Sequence, residues 1–364
     1  MCVSGCRVFQ KQNQEHRERE RERMTGRKRR TRSKTPSKRK NVVQTHSSFP
    51  SIRAMLKPWA ESESGPRFFD EYRTPVLDYF FKYFPFLGNE IQYIILMPFA
   101  AWILDPGNLS LLTTTLTLKW FLSVFFANVV KDLLCLERCG AVDKRLTHDV
   151  DDQFGFPSTH SAAAISVAVP LLTFFFSDDT ESVWLGSFAY TVLVATSRLY
   201  LGVHSVTDIL GGILVGLLSV CICDFVLDDA VLKIANYDDT KLVIVLLCAL
   251  VAVVIKLYPD ARVNNTCFQE VLAVCGLLVG GLIAETMLSK FTPCYVTQNR
   301  PGSIMLTGLL VLILFRSVVK SFTRIVLARG FNVNASVLYV FEHAALGAFV
   351  IAAPTKVLDR LAGC

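Results

Sequence analysis

The sequence predicts an all-α fold, a multi-pass transmembrane bundle of about nine helices, and three observations point to it. Hydrophobic residues make up 52% of the 364, including 26 Phe, and the mean hydropathy is +0.40. Apolar stretches recur near residues 91–104, 109–130, 161–176, 183–200, 209–227, 242–258, 268–287, 303–315 and 336–353, with short polar connections between them. Charge is segregated: residues 1–58 hold 17 Lys/Arg against 4 Glu, net +13, while the remainder holds 21 against 27, net −6. An ordinary soluble domain is excluded by this balance. The chain divides into a disordered basic tail (1–58), an interfacial segment (59–90), a transmembrane core (91–227) and additional transmembrane helices (228–364).

The tail runs from Arg17-Glu18-Arg19-Glu20 through Arg27-Lys28-Arg29-Arg30 to Lys38-Arg39-Lys40, with almost no apolar content to bury. Its clusters imitate a nucleic-acid arm, but on a chain with many spans a segment drawn to anionic headgroups is the better reading, and a plain solvated tail is better still. The expected partners are membrane lipids, with no nucleic acid. No apolar signal region follows Met1, so insertion is expected to use the first internal span. In the next segment Phe68, Phe69, Tyr79, Phe80, Phe81, Tyr83 and Phe84 alternate with Asp70, Glu71, Arg73, Asp78 and Lys82, a mixture suited to the headgroup layer. The first apolar stretch borrows from Phe84–Leu87, and Asp105-Pro106-Gly107-Asn108 turns the chain into the second. Arg316, Lys320 and Arg324 recur every fourth residue, so the eighth helix is expected to leave the bilayer at Arg316 with a basic stripe. Cys221, Cys223, Cys248 and Cys275 fall in apolar runs as small hydrophobes. Cys135, Cys139 and His148 lack a second close ligand pair, so no metal is expected.

Counting helices brings three polar groups to one membrane face. Lys131 and Arg138 follow the second apolar stretch, Pro157-Ser158-Thr159-His160 opens the third, and Ser197-Arg198 to His204 and Asp208 bridges the fourth and fifth. Ionisable residues at such depth are placed for a purpose, and each of these types suits phosphate. Ser158 or Thr159 can cap a helix whose free amides form an anion site. Lys131, Arg138 and Arg198 would surround one phosphoryl group and balance its charge without a metal or other cofactor. If the fifth helix begins near Ser205, Asp208 reaches back to His204 and fixes its tautomer. One of His160 and His204 would attack phosphorus while the other donates a proton to the leaving alkoxide; the residues alone leave open which.

Lys131-x6-Arg138, Pro157-Ser158-Thr159-His160 and Ser197-Arg198-x5-His204-x3-Asp208 resemble the three motifs of the type 2 phosphatidic acid phosphatase superfamily. Within it the chain is most similar to the sphingosine-1-phosphate, or long-chain-base-phosphate, phosphatases, a likeness that covers roughly 85–364 and includes Leu87-Gly88-Asn89-Glu90 and Phe315-Arg316-Ser317-Val318-Val319-Lys320. The resemblance implies His204 as nucleophile, Asp208 as its partner, His160 as general acid, and Lys131, Arg138, Ser158 and Arg198 as phosphate ligands. It also implies a phosphorylated sphingoid-base lipid as substrate and the endoplasmic reticulum membrane as location. A phosphatase of phosphatidate or polyprenyl phosphates is the alternative. A transporter or scaffold fits less well, because the ionisable residues sit at helix ends and both histidines are intact. Cys139 stands where the family has proline, which is expected to loosen the loop holding Arg138. The two arguments on sidedness disagree: the basic tail places the site in the cytosol by the positive-inside rule, and the resemblance places it in the lumen.

Overall fold

The structure, a computed structural model, describes residues 48–83, 109–139, 154–176, 178–227, 240–259, 265–288, 302–328 and 335–353. Every element among them is helical. Three short helices come first: α1 (Pro50–Ala60), α2 (Ser64–Phe68) and, after a 3₁₀ turn at Asp70–Tyr72, α3 (Pro75–Tyr83). Eight longer ones follow: α4 (Leu109–Leu134), α5 (Thr159–Phe175), α6 (Thr180–Tyr200), α7 (Val206–Ile222), α8 (Thr240–Leu257), α9 (Asn265–Leu288), α10 (Gly302–Ala328) and α11 (Ala335–Ala353). These fall on the apolar stretches read from the sequence, except that the stretch near 91–104 lies outside the described residues. Two of them, Val206–Leu227 and Thr266–Ala284, are long and apolar enough to cross a membrane. Trp184, Leu185 and Phe188 of α6 and Leu210, Leu214 and Leu218 of α7 are exposed, an apolar outer surface that suits lipid and not water. The chain has the character of a membrane protein.

Helix α5 is the centre of the first half, packed against α4, α6 and α7. Its inner face is built from small residues, Ser161, Ala162, Ala163, Ala164, Ser166 and Ala168, all buried. Gly212 and Gly216 of α7 meet that face so closely that a Cβ at Gly212 would strike Ser158 O, and one at Gly216 would strike Ala162 O and Ile165. Lipid tails are as apolar as the side chains, so helices in a bilayer associate through such close packing. The same device recurs in the second half, where Gly276 and Gly280 of α9 lie against Val340 and Ala344 of α11. Helix α9 also packs on α4 and thereby joins the halves; α8 lies against α9, and α10 against α11. Helix α10 continues unbroken through Arg316, and its 27 residues span about 40 Å, longer than a hydrocarbon core. Lys119 of α4, buried among apolar neighbours, forms an ion pair with Asp224 in the π-helical turn Cys223–Leu227 that extends α7.

Order begins earlier than the boundary of the expected tail at residue 58. Residues 1–47 lie outside the described residues, but Pro50–Ala60 is helical, started by Pro50 in the first turn. Leu56 and Ala60 pack on Leu134, Leu136 and Phe156, so a short amphipathic pattern outweighs the surrounding basic composition. Residues 48–83 dock on the ends of α4 and α6. Ser48 N donates to Leu133 O (3.1 Å), Arg73 Nη2 donates to Tyr200 O (2.9 Å), and Tyr200 Oη donates to Asp78 Oδ1 (2.6 Å). The Arg73 guanidinium stands 5.2 Å from the centroid of the Tyr200 ring, and Phe81 lies on the same ring at 4.6 Å. Residues 48–83 therefore lie at the end of the bundle that carries Lys131 and Arg198. We expect acceptor sites for N-glycosylation, set in longer loops inserted beside Ser62 and between Asp143 and Asp152, to report the same side of the membrane. A glycan on one and not the other, in otherwise active proteins, would contradict this placement.

Candidate active site

Four helix ends deliver the polar residues. Lys131, 1% exposed, sits in the last turn of α4, which is ended by Cys135 in the left-handed region (φ 51°), with its N–H donating to Lys131 O at 2.8 Å. The chain then carries Arg138 across to the α6–α7 turn, where Arg138 Nη1 donates to Val203 O (2.8 Å) and to His204 Nε2 (3.2 Å). Gly155 lets the two segments meet: its N–H donates to Leu136 O (2.8 Å), and a Cβ there would crowd Arg138 Cα at 3.2 Å and Asp208 Oδ2 at 3.3 Å.

At the start of α5, Ser158 is the cap. Its Oγ accepts from Ser161 N (3.3 Å) and Ser161 Oγ (3.0 Å), and its own N–H donates to Asp208 O (2.8 Å). Of the two residues the sequence offered for that role, Thr159 does not take it. Thr159 is already inside the helix, and its hydroxyl accepts from Lys131 Nζ and donates to Asn128 Oδ1 (3.4 Å). His160 follows in the first turn, half-buried, with Arg198, Lys131 and Arg138 as the charges that act on it.

Helix α6 brings Arg198, 8% exposed, whose Nε is buried and makes no hydrogen bond among the described residues. The turn after it needs Gly202 at φ 70°, with Val203 N–H returning to Arg198 O at 3.2 Å. Cys139 is held here too, its thiol donating to Gly202 O (3.3 Å) from a fully buried position. The expectation that cysteine loosens the Arg138 loop is corrected by this contact, because the thiol ties that loop to the turn ahead of His204. Cys135 Sγ donates to Asp132 O (3.2 Å), and His148 lies outside the described residues.

Helix α7 begins with a reciprocal cap: Asp208 N donates to Ser205 Oγ (3.1 Å), and Ser205 N donates to Asp208 Oδ2 (2.9 Å). The same Oδ2 lies 3.3 Å from His204 Nδ1. Arg138 has only donors to offer Nε2, so the imidazole proton belongs on Nδ1, shared with Asp208, and the Nε2 lone pair faces the guanidinium. Burial holds the His204 imidazole well below its usual range, and Arg138, Arg198 and Lys131 act in the same direction. A neutral ring with its lone pair among cations is chemically a nucleophile or base waiting beside an anion site. Lys131, Arg138 and Arg198 bring three cations of the motifs to bear on this imidazole, a set suited to an anionic ligand such as a phosphoryl group.

Hydrogen bonds thus join Lys131 to Thr159 and link Arg138, His204, Asp208 and Ser158, with Arg198 and His160 near enough to act on the His204 imidazole. Two participants escaped the sequence reading. Asn128 is completely buried one turn before Lys131, and its Nδ2 donates to Glu270 Oε2 (3.1 Å) on α9. A polar residue inside an apolar stretch was the available signal for both.

Residues 110–228 match the model of the PAP2 superfamily. The chain is 35% identical over 141 residues to sphingosine-1-phosphate phosphatase 2 of Mus musculus, covering 38% of this chain and 39% of that protein. It is 27% identical over 236 residues to a probable sphingosine-1-phosphate phosphatase of Dictyostelium discoideum, covering 61% and 56%. A dihydrosphingosine 1-phosphate phosphatase of Saccharomyces cerevisiae is 30% identical over 167 residues, covering 43% and 39%. The chain thus spans between about two fifths and three fifths of the length of these relatives. No solved structure matches it significantly. Helices α4 to α7 carry all three polar groups inside the stretch 110–228 that the PAP2 superfamily model matches.

Proposed function

We propose that the chain is a metal-independent lipid phosphate phosphatase that hydrolyses sphingoid-base 1-phosphates to the free base and phosphate. The observation that carries this reading is the pairing on His204, with Nδ1 3.3 Å from Asp208 and Nε2 3.2 Å from Arg138, a guanidinium suited to hold the phosphoryl oxygens beside the attacking nitrogen. The names of the relatives support the substrate class, and the apolar helices support a multi-pass membrane protein. Its location in the endoplasmic reticulum rests on the resemblance alone.

In the mechanism, Lys131, Arg138 and Arg198 bind the phosphate oxygens with Ser158 and the first amides of α5, and Thr159 joins them through Lys131. His204 Nε2 attacks phosphorus, forming an N–P bond as the ester P–O bond breaks. Asp208 keeps the proton on Nδ1 and stabilises the positive charge that develops on the ring. His160 donates its proton to the departing lipid alkoxide, which leaves as the alcohol. It then takes a proton from water, whose oxygen attacks the phosphohistidine and releases inorganic phosphate and neutral His204. The three cations offset the charge spread over the equatorial oxygens in both steps.

The function is tested with protein purified in detergent and assayed for phosphate release from sphingosine 1-phosphate, phosphatidate and a polyprenyl phosphate. The sphingoid substrate is expected to show the highest kcat/KM, and equal turnover of all three would contradict the substrate assignment. The two histidines are separated by leaving group. His160→Ala should lower turnover of the lipid ester by about 10²–10⁴-fold while sparing an aryl phosphate, whose phenolate leaves without a proton. His204→Ala should abolish both, and normal aryl phosphate hydrolysis by that variant would show that another group attacks.

A further inference from the structure

The contacts around Lys131 form a chain with a direction. Lys131 Nζ donates to Thr159 Oγ1, the Thr159 hydroxyl donates to Asn128 Oδ1 (3.4 Å), and Asn128 Nδ2 donates to Glu270 Oε2 (3.1 Å). A lysine ammonium has only donors and a carboxylate only acceptors, so the amide and hydroxyl between them can be satisfied in one order alone. The carboxylate fixes which way the Asn128 amide faces. The amide in turn turns the Thr159 hydroxyl away from Lys131, leaving an oxygen lone pair for the ammonium, and each bond polarises the next. Asn128, Lys131 and Thr159 are buried, with exposures of 0%, 1% and 8%, so water does not compete for these groups. Asn128 and Lys131 stand three residues apart on α4 and so share a face. The Glu270 carboxylate also acts on Arg138 and Arg198.

We propose that Asn128 and Glu270 are positioning residues that aim Lys131 at the phosphate, so that helix α9, outside the stretch 110–228 matched by the superfamily, completes the active site. Glu270 serves as the remote counterion of a ligand that must keep its ammonium directed inward while no anion is bound. This inference rests on the reading of Lys131 as a phosphate ligand.

A contact that merely held α9 to α4 would involve the same atoms, so the test must separate position from stability. The measurements are kcat/KM for sphingosine 1-phosphate and the binding constant of orthovanadate, which needs no turnover, in full-length protein in detergent. Asn128→Leu and Glu270→Leu should each lower kcat/KM and weaken vanadate by about tenfold, as loss of an outer hydrogen-bond partner commonly does. Glu270→Gln keeps an acceptor and should recover most of the loss seen with Glu270→Leu. In the Lys131→Ala background, Asn128→Leu should cause no further change in either quantity, because the residue acts through the one already removed. Additive losses there, with Lys131→Ala itself impaired, would overturn the relay and leave the phosphate site standing. A Lys131→Ala protein with unchanged kcat/KM and vanadate affinity would instead sink the reading of Lys131. If Glu270→Leu fails to fold, the Asn128→Leu cycle with Lys131→Ala decides the matter alone.

Discussion

The Asp208 carboxylate is the group on which the site depends. One oxygen, Oδ2, accepts the Ser205 amide that starts α7 and lies within reach of the His204 imidazole, while the backbone carbonyl of the same residue receives Ser158 N–H at the start of α5. Two structural tasks and one chemical task meet at a single side chain and its peptide. A helix N-terminus favours negative charge, and the Ser205 amide at that end of α7 donates to the same carboxylate oxygen that faces the histidine Nδ1. The price of this economy is rigidity: α5 and α7 must cross closely enough for residues 158 and 208 to meet. Gly212 and Gly216 permit that crossing, since side chains at either position would collide with the α5 backbone.

The second half of the bundle is more than an anchor. Helix α9 is packed on α11 by Gly276 and Gly280 and on α4 through the core formed by Trp120, Phe121, Val271, Val274 and Leu278. That packing sets Glu270 opposite Asn128, so the position of a charged group at the site follows from small-residue packing deeper in the membrane. At the other edge, residues 48–83 close over the ends of α4 and α6 through Arg73, Asp78 and Tyr200. Charges that would be costly within hydrocarbon are met by the carbonyl and hydroxyl groups at those helix ends.

Much of this was legible in the sequence, for identifiable reasons. Helix positions follow from hydropathy, because a bilayer demands long apolar runs whose ends are marked by charge. Lys131, Arg138, Arg198, His160, His204 and Asp208 stood out since ionisable residues at such places need a ligand or one another. What could not be read depends on distant partners or on adjacent residues of like chemistry. Ser158 and Thr159 are equally able caps on paper, and only the backbone entry into α5 decides between them. The Cys139 thiol finds Gly202 across 63 residues, and Asn128 finds Glu270 across 142. The helix at Pro50–Ala60 was hidden because the tail's charge dominates the composition on its N-terminal side. The Gly-x3-Gly pairs were visible as letters, but within apolar runs they carry no sign of which helix they will meet.

The central claim is that Nε2 of His204 becomes bonded to phosphorus, because Nδ1 is committed to Asp208 and Nε2 faces the Arg138 guanidinium. Its most direct test is to react the purified protein briefly with radiolabelled sphingosine 1-phosphate, quench it in alkali, which preserves phosphohistidine, and locate the label by mass spectrometry and phosphorus NMR. The account predicts one phosphoryl group on His204, attached through Nε2. A label on His160, or one attached through Nδ1 of His204, would contradict it.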